Sequence, residues 1–147
     1  MNQANRTEYP RVLSATKIMG DKVVNTAGEQ LGTIRELMID LDDGMIAYAV
    51  LSFGGFLGLG DKLFAIPWEA LTFNHDDQTF ILDVDKEVLD DAPGFDKDHW
   101  PDNAKYEAGW LLGVYEYYGY SPYWMADEDD EEGFEEQAED PSEFLQK

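Results

Sequence analysis

A chain of 147 residues that carries 32 Asp and Glu against 10 Lys and Arg, with no cysteine, excludes several chemistries at the outset. Without cysteine there is no disulfide scaffold, no thiolate zinc site and no thiol nucleophile. A formal charge of −22 has the wrong sign for holding nucleic-acid phosphates, whereas a hydrophobic fraction of 44% is enough for a packed core.

Residues 1–14 form a polar N-terminal arm without the apolar stretch of a secretory signal. No apolar run anywhere reaches the ~18–20 residues that a membrane helix needs, so a soluble, cytoplasmic chain with no direct membrane insertion is expected. Residues 15–101 read as an all-β domain of short apolar runs separated by Gly and Asp turns. Val23 and Val24 end at a turn over 25–29. The run 32–40 alternates imperfectly, which predicts a twist or a bulge.

The turn Leu41-Asp42-Asp43-Gly44 leads into 45–53, a nearly continuous apolar run expected to be the most buried strand. After the glycine-rich stretch 54–60 a strand resumes at Lys62 and ends at Pro67. Residues 68–71 are compatible with one helical turn, and 72–74 and 79–82 flank a hairpin loop at 75–78. Residues 85–91 suit a short helix with Asp85 as N-cap and Pro93-Gly94 as the stop. Six strands at turn spacings of roughly ten residues favour a small barrel over an open sheet.

Residues 102–124 change period. Tyr106, Trp110, Val114 and Tyr117/Tyr118 recur at three- and four-residue spacing, one face of a helix, which Gly109 and Gly113 weaken by roughly 1 kcal/mol each. Residues 119–124 follow as a rigid aromatic loop. Residues 125–147 hold eleven acidic side chains and one lysine, with Phe134, Phe144 and Leu145 as the substantial apolar anchors. That composition reads as a disordered, solvated tail.

Several constellations fail on register. Counting a calcium loop from Asp40 puts Gly44 at position 5 and Leu51 at position 12, where an acidic ligand and a bidentate Glu are required, so 40–44 is expected to be a hairpin turn. In a phosphate loop Gly-Lys-Ser/Thr is contiguous, but Asp61 separates Gly60 from Lys62 and Leu63 replaces the hydroxyl. His75 and His99 each neighbour carboxylates but sit in predicted turns, where a solvated imidazole is the ordinary outcome. No serine stands in a nucleophile-elbow context. Hence no catalytic, cofactor or metal residues are assigned.

The residues that ask for shelter are apolar. Phe53, Phe56, Leu57 and Leu59 lie in or beside the glycine-rich stretch, and leaving them in water forfeits ~1.5–3 kcal/mol each relative to burial. They either fold back over the barrel end or meet another subunit or partner. Trp110, Tyr117, Tyr118, Tyr123 and Trp124 pose the same choice, and together these nine residues form the candidate interaction surface.

An ordered set of stretches resembles the PRC-barrel family, shared with the cytoplasmic domain of the photosynthetic reaction-centre H subunit and, more distantly, the C-terminal domain of the ribosome maturation factor. The stretches are Asn25, Gly28 and Gly32; Leu37, Ile39 and Asp40; and Gly44 with Ala47 to Gly55. Gly58, Gly60, Asp61, Lys62, Pro67 and Trp68 follow, then Ala92 to Phe95. The aromatic segment 117–124 resembles an extension of free-standing bacterial members. The resemblance implies a non-catalytic module that mediates protein contacts, as a homo-oligomer or on a protein partner, and not an enzyme. The alternative it implies is a small-molecule, ion or proton-binding accessory protein akin to the reaction-centre domain.

Overall fold

The computed structural model describes residues 11–53, 62–101 and 108–125. The glycine-rich loop with Phe56, Leu57 and Leu59, residues 102–107 with Tyr106, and the acidic tail beyond Met125 lie outside the described residues. In chain order the elements are α1 (Ala15–Ile18), β1 (Lys22–Val24), β2 (Gln30–Asp40), β3 (Met45–Phe53), β4 (Lys62–Ile66), a 3-10 turn (Trp68–Ala70), β5 (Leu71–Asn74), β6 (Thr79–Leu82), α2 (Lys86–Asp90), β7 (Gly94–Asp96) and α3 (Ala108–Tyr118). The strands form one sheet in the order β5-β6-β1-β2-β3-β4-β7. Every pairing is antiparallel except β1 with β6.

The sheet is coiled around one interior. Val23 of β1, Leu31 of β2, Leu51 of β3, Phe64 of β4 and Phe80 of β6 meet Leu89 of α2 in a single buried cluster. Strand β4 shows why the fold needs more than a barrel. Phe64 and Ile66 point into this interior while Leu63 and Ala65 point outward, yet all four are fully buried. The outward pair joins Ala47, Tyr48 and Val50 of β3 under Leu111, Val114 and Tyr115 of α3. Two-sided burial is what the continuous apolar run 45–53 encodes, and here the second cover is the C-terminal helix.

The imperfect alternation of β2 resolves into two bulges. Ile34 faces Leu51 and Glu36 faces Val50, leaving Arg35 over; Met38 faces Tyr48 and Ile39 faces Ile46, leaving Ala47 over on β3. The second bulge lets the consecutive residues Ala47 and Tyr48 both pack toward α3. The extra residue of a bulge has no ladder partner, and the Tyr115 hydroxyl donates to the Ala47 carbonyl at 2.7 Å. Gly32 enters β2 at φ +153° against β3, so close that a Cβ would lie 2.2 Å from the Ser52 carbonyl oxygen; only glycine fits.

Three local readings change. The stop at Pro93-Gly94 opens a seventh strand, β7, antiparallel to β4. Ala15, expected to begin the β domain, begins the short helix α1. Asp85 occupies the N-cap of α2 but its side chain makes no capping hydrogen bond.

Candidate interaction surface

The β2–β3 hairpin tip is built by Asp40. Its Oδ1 accepts the Asp42 and Asp43 N–H groups at 3.0 and 3.2 Å, and its backbone carbonyl accepts the Gly44 N–H at 2.8 Å. Gly44 sits at φ +67°, the left-handed conformation that this tight turn demands. The second carboxylate oxygen of Asp40 accepts the Tyr123 hydroxyl. That donation, with the two turn amides, holds the Asp40 carboxyl below its ordinary value against the opposing effect of desolvation. The aromatic segment after α3 is therefore fastened to the hairpin.

Around this fastening several large apolar side chains are exposed, beside the carboxylates of Asp42 and Asp43. Leu41 is 88% exposed, Ile39 52%, Met45 46% and Met125 42%. Met45 faces Asp40 across the ladder, and Met125 lies two residues beyond the tyrosine that grips Asp40. The tip differs from a scattered set of exposed side chains in being held by four hydrogen bonds to Asp40.

The residues chosen from sequence fall in several places. Phe53 is half-buried, its ring edge-on to Phe64 at 5.9 Å and packed on the barrel interior. Trp110 packs on the outer cluster, with its ring 5.6 Å from Tyr48 and 6.3 Å from Phe95. Tyr123 is buried, and Trp124 lies against Tyr115 and Tyr123 at 5.3 and 5.1 Å. Tyr117 is exposed and its hydroxyl donates to the Val88 carbonyl. Tyr118 packs on both clusters, and its buried hydroxyl has no hydrogen-bond partner. Thus Trp110, Tyr123 and Trp124 come together with α3 on the barrel wall, Phe53 faces the other core, and Phe56, Leu57 and Leu59 lie outside the described residues.

Sequence reasoning passed over Ile39, Leu41 and Met45. The signal was there in Leu41, a large apolar side chain inside an Asp-Asp-Gly turn. Among the described residues no three His, Asp or Glu side chains converge as metal ligands would. His99 Nδ1 and Asp96 Oδ1 form an exposed pair at 2.8 Å, which raises the imidazole and lowers the carboxyl from their ordinary values. No described helix is long and apolar enough to cross a membrane, a statement that leaves strand-based crossing aside.

Seven short strands wrapped around one apolar interior define a small β-barrel module. The chain belongs to the PRC-barrel domain family, whose model matches residues 10–89. Among solved structures it is similar to a 16S ribosomal RNA processing protein, RimM, from Pseudomonas aeruginosa, at 18% identity and a TM-score of 0.36, over 59% of this chain and 50% of that one. The chain thus spans about half the length of that protein. No curated protein matches.

Proposed function

We propose that this PRC-barrel protein is a non-catalytic interaction module that uses the apolar β2–β3 tip to self-associate or to dock on a protein partner. The observation that supports it is the exposure of Leu41 and Met45, large side chains held in water beside a turn whose own hydrogen bonds fix its shape. A solvent-facing turn has no folding reason to carry Leu41, and burying such a side chain against a second surface returns about 2 kcal/mol. The proposed surface extends to Phe56, Leu57 and Leu59 if the glycine-rich loop takes part, which a parallel variant separates.

Sedimentation velocity at micromolar concentration, with and without Leu41→Asp plus Met45→Asp, tests the reading. The pair removes about 3 kcal/mol of apolar contact and adds charge, so association is expected to weaken roughly 100-fold with the far-UV circular dichroism unchanged. Phe56→Asp with Leu59→Asp reports the loop separately. A wild-type chain that stays monomeric and retains no protein partner in pull-down, or an assembly indifferent to both variant pairs, refutes it.

A further inference from the structure

The exposed apolar side chains of the β2–β3 tip stand among charges of a single sign. Leu41 sits between Asp40 and Asp42, Asp43 follows, and Asp42 and Asp43 are both exposed. From residue 36 to residue 61 the sequence has no Lys, Arg or His. The basic residues that border this stretch are Arg35, five positions from Asp40 on β2, and Lys62, which faces Phe53 at the opposite end of β3 from Met45. At about 3.3 Å per residue both backbones lie roughly 16 Å or more along the strands from the turn. That exceeds the screening length of about 8 Å at physiological salt. The C-terminal arm adds the same sign. Tyr123 donates to Asp40, and the residues after Met125 hold eleven acidic side chains and one lysine. Asp127, four positions past Tyr123, stays within about 14 Å of its Cα whatever path the chain takes.

We infer that the tip's occupant is a partner protein segment that is cationic and apolar together, with Lys or Arg set between large aliphatic side chains, rather than a second copy of this chain. The inference rests on the reading of the tip as a docking surface and chooses between the two occupants named for it. In a two-fold dimer the same patch meets itself, so Asp42 and Asp43 of one chain would approach their own counterparts, on molecules that each carry −22. Like charges brought together across an interface lose affinity, and carboxylates desolvated beside Leu41 and Met45 without a partner lose more. A cationic segment reverses both effects. Leu41, Met45 and Ile39 supply the apolar contact, while the carboxylates at its rim pair with Lys or Arg, speed encounter and reject anionic surfaces. The same sign turns away nucleic-acid phosphates and acidic lipid headgroups.

Titration of the isotope-enriched full chain with three synthetic amphipathic peptides of equal length tests this. One is built of Leu and Lys, one has Glu in place of every Lys, and one has Ser in place of every Leu. The Leu–Lys peptide is expected to shift the backbone amides of residues 39–46, and the other two to leave them in place. Leu41→Ser should weaken its binding about tenfold. Asp42→Asn with Asp43→Asn, which keeps the backbone amides that Asp40 accepts, should weaken it about fivefold. At about 0.5 M salt, where the screening length falls below about 5 Å, the effect of the Asn pair should vanish while that of Leu41→Ser persists. Shifts at 39–46 that the Leu–Glu peptide produces equally well keep the docking surface and overturn the cationic partner. Shifts confined to residues 126–147, or equal binding of the Lys–Ser peptide at the tip, show attraction between charges alone and overturn it too. So does a dimer of the chain by itself in sedimentation velocity that Leu41→Ser dissociates, which assigns the tip to a second copy.

Discussion

Two tyrosines one helical turn apart on α3 should respond oppositely to the same one-atom change. Tyr115→Phe removes the donor that satisfies the carbonyl stranded by the bulge at Ala47, in a site where both residues are buried. A buried carbonyl left without a partner costs ~1–3 kcal/mol, so a loss of about 2 kcal/mol is expected. Tyr118→Phe instead deletes a buried hydroxyl that has no partner, and should leave stability unchanged or raise it by about 1 kcal/mol. Urea unfolding followed by tryptophan fluorescence reads both, because Trp100, Trp110 and Trp124 all pack on the outer cluster that α3 closes. With a urea m-value of about 2 kcal/mol/M, Tyr115→Phe lowers the midpoint by about 1 M at constant slope. A Tyr115→Phe midpoint within error of wild type, or a Tyr118→Phe loss as large as that of Tyr115→Phe, refutes the account of how α3 is held.

Helix α3 also leaves room for improvement: a Cβ at Gly109 or Gly113 meets nothing within 4 Å, so Gly109→Ala and Gly113→Ala should each add about 0.5–1 kcal/mol, read as a higher melting temperature. Burial pushes the Tyr115 phenol well above its ordinary value of 10.0, and that of Tyr118 likewise. Unfolded phenols release their protons first, so the associated stability is complete below about pH 10 and declines as pH rises, by up to about 1.4 kcal/mol per pH unit for Tyr115. In a phenolate absorbance titration these two of the eight tyrosines should ionise only as the protein unfolds; smooth titration of all eight in a folded chain would contradict their burial.

The parts of this fold that were legible in the sequence are those with a repeating pattern long enough to show. Six strands, the 40–44 turn and the C-terminal helix are of that kind. Strand β7 is not: Gly94, Phe95 and Asp96 are too few to alternate, and Pro93-Gly94 signals a stop as readily as a strand entry. The four residues of α1 likewise span barely one turn. On α3 the aromatic spacing placed the buried face at Trp110, Val114 and Tyr117/Tyr118, whereas the buried stripe runs through Leu111, Val114, Tyr115 and Tyr118. Counting aromatics alone moved the centre by one residue, because Trp110 and Tyr117 flank the stripe. For the interaction surface, local pattern identifies apolar side chains but not their cover, which for Trp110 comes from Tyr48 of β3 and Phe95 of β7 and for Tyr123 and Trp124 from Tyr115 of α3.

The cover itself narrows where a partner can bind. The family-matched segment 10–89 ends before β7 and α3, yet Leu63, Ala65 and Val50 within it are buried only because those later elements lie over them. The helix and the aromatic arm thus occupy the outer face of β3–β4, and the barrel interior is filled by its own side chains. Any contact that uses apolar area among the described residues must then fall at the margins of these covers. The β2–β3 tip is such a margin, and it is not independent of the arm: Tyr123 grips Asp40, whose other oxygen shapes the turn that displays Leu41. A change that lifts the arm therefore also loosens the tip. This coupling is the physical reason to expect that residues 119–125 influence association without themselves forming most of the contact.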